Sequence, residues 1–331
     1  MCTSISMTTD DCYFGRNMDI AYNFGEHVTV VPRNYPFKFR LAGNMPHHFA
    51  MLGMATVRDN YPMFAEAANE KGLGAAGLNF PGNAYYPKEP PPDKGYKWAV
   101  SPFEFIPWVL GQCSTAEEAK LLIMSTCLVD IPFSEYLPLT PLHWHFADKN
   151  SSIVVEQTKD GMHVYDNPVN VLTNNPPFDF QLLNLSQYLN LSVTKPDGCF
   201  ACKAGIEPFG LGMGSVGLPG DFSPASRFVK AAFILVNSKC KCDDEDSSIS
   251  QFFHIMESVS VVNGSINDSG NDNENYRTTY CCCMNLCKGI YYYKTYDNSL
   301  ITAVNLYGEN LNGSSLTEFP CNDSLQVEFL N

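Results

Sequence analysis

A chain that opens Met1-Cys2-Thr3-Ser4-Ile5, turns at Asp10-Asp11 and returns through Phe14-Gly15-Arg16-Asn17-Met18-Asp19 starts as a strand, a turn and a second strand. A hairpin of that size can bring Arg16 and Asp19 back beside Cys2. Removal of Met1 exposes a residue carrying both a thiol and a free α-amine. A thiol titrating near ~8.5 is largely protonated at neutral pH, whereas an α-amine near ~7.7 titrates close by and can take the proton without a separate histidine. Nucleophile and base are then one residue. A cysteine in second position means little alone; the charged return strand gives it meaning.

Composition bounds the rest. The 331 residues are 45% hydrophobic and 13% aromatic, enough for a large core and too apolar for disorder. No apolar run approaches the ~20 residues that cross a bilayer, and the start lacks a signal peptide's basic and apolar segments, so a soluble cytoplasmic enzyme is expected. Net charge is −14, with 21 Lys+Arg against 35 Asp+Glu, which argues against nucleic-acid or anionic-membrane binding. An anionic substrate would need the local field reversed by a few cations, such as Arg16 and Arg227. The 13 cysteines are odd in number and scattered, so most are expected reduced. Of Cys199-x-x-Cys202, Cys240-x-Cys242 and Cys281-Cys282-Cys283-x-x-x-Cys287, only the first has zinc-knuckle spacing, and no metal is expected.

Strands are read at 3–8, 28–31, 51–57, 142–146, 153–157, 169–173, 290–296 and 300–307 from β-branched, aromatic or alternating apolar residues. Helices are read from Ser114-Thr115-Ala116-Glu117, which has capping-box spacing, from Pro224 through Val236, and over about 249–259. The acidic 239–248 and the polar 264–275 read as loops, as does 87–92. Strand clusters with a few helices suggest stacked layers in one catalytic domain over 1–331. His143 and His145 lie two apart on a strand, so they share a face, where histidines are ordinarily structural.

Six ordered landmarks carry a resemblance: Met1-Cys2-Thr3, Gly15 to Asp19, Asn69-Glu70-Lys71-Gly72-Leu73, Gly77-Leu78-Asn79-Phe80-Pro81, Leu172-Thr173-Asn174-Asn175-Pro176, and Leu218 to Phe228. Over essentially its whole length the chain resembles the choloylglycine hydrolases, which comprise bile salt hydrolases and penicillin V acylases. The resemblance implies an α+β fold of the N-terminal nucleophile type, a four-layer αββα sandwich of two antiparallel sheets. It implies hydrolysis of the amide bond of glycine- or taurine-conjugated bile salts through the Cys2 thiol and a thioester, without a cofactor, in a homotetramer. Arg16 would stabilise the thiolate, Asp19 would accept hydrogen bonds from the amine or thiol, Asn79 and Asn174 would hold the oxyanion, and Arg227 would complete the cluster. Met18, Ala65, Phe133, Leu137 and Leu142 would line the acyl site. Asn79 resembles the bile salt branch, where penicillin acylases tend to carry tyrosine. The alternatives are a penicillin V acylase or other N-acyl amide hydrolase, and a bile-acid or lipid-binding protein on an inactive scaffold.

Overall fold

A hairpin that carries polar side chains on both faces and is still buried on both must sit inside a layered structure. In the computed structural model, which describes residues 1–196, 202–241, 244–268 and 275–331, β1 (Cys2–Thr8) pairs antiparallel with β2 (Cys12–Ile20), and nearly every residue of both is buried. Cys2 lies opposite Met18 and Ser4 opposite Arg16. Side chains alternate along a strand, so Cys2, Ser4, Arg16 and Met18 share one face while Thr3, Asn17 and Asp19 share the other.

Among the described residues the hairpin is the centre of a seven-stranded sheet. Val171–Leu172 joins β1, Asn275–Asn285, Ile290–Thr295 and Thr302–Asn305 continue from β2, and the short Ile266–Asn267 pairs with the start of Asn275–Asn285. A second, eight-stranded antiparallel sheet runs in the order Gly161–Asp166, Ser152–Thr158, Leu142–Ala147, Gly74–Asn79, Tyr61–Asn69, Met51–Arg58, His27–Val31 and Thr317–Pro320. The sheets meet face to face: the Phe14 ring lies 5.0 Å from that of His145, and Ser4 Oγ lies 2.9 Å from His145 Nδ1. Gly74 lets them approach closely, since an added Cβ there would stand 2.8 Å from the Phe14 ring.

Helices cover both outer faces. Helix α1 (Phe105–Leu110) and α2 (Ala116–Met124) bury Phe105, Trp108 and Ile123 against Trp144, Phe146 and Ile153 of the second sheet. Helix α3 (Phe178–Leu185) packs Phe178 against Phe228 of α4 (Pro224–Asn237), and α4 with α5 (Glu245–Glu257) covers the first sheet through Ala231, Phe252 and Met256. The expected helix–sheet–sheet–helix order is the observed one.

Several local expectations shift. The α2 cap is Thr115, whose Oγ1 accepts from Glu118 N, while Glu118 Oε2 accepts from Ser114 N at 2.6 Å. The acidic 239–248 is a loop only in part: Asp244 caps α5 by accepting from Ser247 N at 2.8 Å, and Glu245 and Asp246 fill its first turn, where acids complement the helix dipole. The 169–173 strand shortens to Val171–Leu172, and 300–307 divides into a strand and a 3-10 turn, Leu306–Gly308. Cys199 and Cys242 lie outside the described residues. Among the described residues no helix is long and apolar enough to cross a membrane, and no cluster of three His, Cys, Asp or Glu forms a metal site.

Candidate active site

Arg16 occupies a split in the second sheet. The strands Tyr61–Asn69 and Gly74–Asn79 pair only from Glu66 opposite Ala76 to Ala68 opposite Gly74, and the register against Met51–Arg58 skips Ala65 as a bulge. Their diverging ends leave the carbonyls of Gly77 and Ala65 facing the hairpin. Arg16 Nη1 donates to both, at 2.6 and 3.3 Å, and Nη2 donates to Cys2 Sγ. The guanidinium is thereby pinned beside the thiol. Met18 Sδ packs 3.9 Å from Cys2 Sγ.

The other face of the hairpin meets α4. Pro224 opens that helix and Ser223 caps it, which points Arg227 back at β1. Arg227 Nη1 donates to Cys2 O at 2.5 Å and to Thr3 Oγ1 at 2.7 Å, and its Nη2 donates to Asn174 Oδ1 at 2.8 Å. Asn174 Oδ1 also accepts Cys2 N–H at 2.9 Å, and two obligatory donors on one atom fix the amide's orientation. Its Nδ2 therefore donates, to Asn79 O at 2.8 Å, with a second proton in hand. Cys2, Arg16, Asn79, Asn174 and Arg227 are one connected cluster.

Asp19 joins it from the other face of the hairpin. With Met1 in place, the backbone of Asp19 makes the terminal contacts: Met1 N donates to Asp19 O at 2.6 Å, and Asp19 N donates to Met1 O at 3.0 Å. Its carboxylate accepts from Thr278 Oγ1 at 2.7 Å, and Oδ2, 3.9 Å from Arg227 Nη1, has no hydrogen-bond partner among the described residues. Strand alternation is the reason, since Asp19 projects from the face opposite the thiol. Burial raises the Asp19 pKa against the pull of Arg227, and burial lowers that of Arg227 against the pull of Asp19 and Cys2. Burial opposes the Arg16 charge too, but Cys2, Tyr280 and Glu66 outweigh it and hold its pKa above the ordinary value.

The cluster opens onto a cleft of about 460 Å³ that Cys2, Met18, Ala65, Phe133, Leu137 and Leu142 all line, with Phe103, Ile106 and Trp144 among its other walls. Among the described residues the charged side chains lining it are Arg16 and Arg58. Neither histidine approaches the thiol. His143 stacks on Phe80 at 4.3 Å and bridges Glu156 Oε1 and Thr173 O, each at 3.0 Å. His145 bridges Ser4 and Ser152 between the sheets, and burial with His143 nearby pushes its pKa down to about 3, so it stays neutral. Sequence reasoning missed Arg58 and Glu66. For Glu66 the one available signal was an isolated acid within Phe64-Ala65-Glu66-Ala67-Ala68.

Two antiparallel sheets packed face to face between helices, with a cysteine heading a central strand, define the N-terminal nucleophile hydrolases. A family model described as linear amide C–N hydrolases, choloylglycine hydrolase family, matches residues 2–319. The chain belongs to that family and is a linear amide C–N hydrolase. It is 46% identical over 331 residues to a bile salt hydrolase/transferase of Lactiplantibacillus plantarum and 42% identical over 337 residues to one of Clostridium perfringens, with 100% of each chain covered. The crystal structure of a mutant conjugated bile acid hydrolase from Clostridium perfringens superposes with a TM-score of 0.89 at 40% identity, covering 100% of both chains.

Proposed function

We propose that this enzyme hydrolyses the amide bond of glycine- or taurine-conjugated bile salts, with Cys2, freed by loss of Met1, as nucleophile and base. The observation that carries this reading is a thiol beside a fixed guanidinium at the edge of an apolar cleft where the charged side chains among the described residues, Arg16 and Arg58, are cationic. Such a lining suits a steroid acyl group joined to an anion, in a protein whose net charge of −14 would otherwise repel it. The relatives named above act on the same substrate class by name.

In the proposed reaction Sγ attacks the amide carbon as its proton passes to the α-amine. The carbonyl oxygen becomes an oxyanion, held by Asn79 N–H and the free Nδ2 proton of Asn174. Collapse expels glycine or taurine, which takes the proton from the Cys2 ammonium and leaves the acyl group as a thioester. Water, deprotonated by the same amine, adds to that thioester and releases the bile acid and the thiol. Asn174 Oδ1 keeps its hold on the nitrogen throughout, and Asp19 Oδ2 is the acceptor for the ammonium once Met1 is gone. Arg227 acts through Cys2 O and Asn174 as a positioning residue. The whole chain, 1–331, works as one catalytic unit without metal or cofactor, in the cytoplasm.

Turnover of glycine and taurine conjugates, compared with penicillin V on one preparation, tests this reading. Release of glycine or taurine is expected to dominate. Faster cleavage of penicillin V would move the substrate to that class, and binding without release, by a chain retaining Met1, would favour a carrier. Arg58 is exposed, forms no ion pair among the described residues, and is assigned the anionic end of the substrate. Arg58→Gln is expected to raise KM for both conjugates roughly tenfold, leaving kcat unchanged. Equal KM values would remove it from that role.

A homotetramer is proposed as well. Leu189, Ile206, Val216, Phe209 at 93% and Leu211 at 100% are exposed, an apolar set that a second copy would cover. Sedimentation of Phe209→Asp/Leu211→Asp should give smaller species than the wild type, and identical profiles would remove these residues from the interface.

A further inference from the structure

We propose that Glu66, an acid the reaction never touches, is a positioning residue that anchors Arg16 and partly offsets its charge, thereby setting the pH range over which Cys2 is nucleophilic. This rests on the reading of Cys2 as the nucleophile. A carboxyl buried between two sheets is costly, and an apolar side chain would fill the site more cheaply. Its surroundings say what it does. Glu66 Oε2 accepts from Tyr280 OH at 2.9 Å, Oε1 accepts from Tyr291 OH at 2.6 Å, and Cys282 Sγ lies 3.6 Å from Oε1. The remaining neighbour is Arg16, whose Nη1 stands 3.7 Å from Oε2 while Nη2 donates to the thiol. One guanidinium thus bridges the acid and the sulfur, and three donors from the Asn275–Asn285 and Ile290–Thr295 strands steady the acid.

The sign follows from the charges around the sulfur. Arg16 favours the thiolate directly, as does Arg227 from α4 at longer range; Glu66 and Asp19 oppose it, and the α-amine adds a positive charge when protonated. Tyr280 and Cys282 face the same pocket as neutral hydroxyl and thiol. Burial holds the Glu66 pKa above the ordinary carboxylate value against the pull of Arg16, Tyr291, Tyr280 and Cys282, and the charge is read from the geometry, in which both oxygens accept from tyrosine hydroxyls and face a guanidinium. Removing that charge leaves Arg16 uncompensated, so the thiolate forms at lower pH and, being less basic, attacks more slowly where fully formed.

The test is the pH dependence of iodoacetamide alkylation at Cys2, read by mass spectrometry of the N-terminal peptide so that other cysteines do not interfere, alongside the pH profile of kcat/KM. Glu66→Gln is expected to move the alkylation profile about one pH unit toward acid and to lower its plateau. Tyr280→Phe and Tyr291→Phe, which weaken the ionised carboxyl, should move it the same way by less. A Glu66→Gln profile superimposable on wild type overturns the proposal. Should that variant fail to fold, an unmoved profile in the two tyrosine variants does the same. A Cys2 inert to alkylation in the wild type itself would remove the nucleophile, and this role with it.

Discussion

Cys2→Ala is expected to abolish release of glycine or taurine, to below about 10⁻⁴ of the wild-type rate, while the protein remains folded. The side chain takes no part in the strand ladder, and the change removes one sulfur from a closely packed site. The structural consequence falls on Arg16, whose Nη2 loses its thiol acceptor while Nη1 keeps Gly77 O and Ala65 O; one unmet buried donor costs about 1–3 kcal/mol, a small loss for a chain of 331 residues. Cys2→Ser keeps the geometry and should retain only a small residual rate, because an alkoxide forms far less readily than a thiolate at neutral pH. Full turnover by Cys2→Ala, with circular dichroism confirming the fold, would end the mechanism proposed here.

Asn174 carries the second-largest expected effect. Asn174→Ala removes the Nδ2 donor proposed for the oxyanion and the Oδ1 acceptor shared by Cys2 N and Arg227 Nη2. A fall in kcat of about 10²–10³ is expected, with little change in KM, because the oxyanion exists only beyond the ground state. Asn174→Asp separates the two losses. It preserves an acceptor for Cys2 and Arg227 but supplies no proton to the oxyanion, so it should be at least as slow as alanine. Near-normal kcat in Asn174→Asp would assign Asn174 to holding the amine alone.

Much of this site was legible because its first pieces are local. Cys2, Arg16 and Asp19 sit on one hairpin whose turn and β-branched residues declare themselves, and six ordered landmarks carried the remaining cluster. The face of Asp19 was not legible, because it depends on register: once Cys2 stands opposite Met18, Asp19 must project away from the thiol. Glu66 was hidden for a different reason. Its partners Tyr280 and Tyr291 lie more than 200 positions away, and only the stacking of two sheets brings them to it. The strand Gly74–Asn79 was missed through its Gly- and Ala-rich composition, which β-propensity disfavours. Packing requires those residues, since a Cβ at Gly74 would strike Phe14 and one at Gly77 would crowd Trp144 and Leu142. The acids of 239–248 looked like loop chemistry because the residues that favour a loop also cap and open a helix.

The central claim is that one residue, stripped of the methionine before it, supplies both nucleophile and base. It is tested most directly by the mass of the N-terminal peptide and the amine release from conjugated bile salts, measured on the same fractions of purified protein. The account predicts a peptide beginning at Cys2 and a release rate that scales with the fraction so processed. Full release by protein that retains Met1, in which the Cys2 nitrogen is an amide and cannot accept a proton, would contradict it.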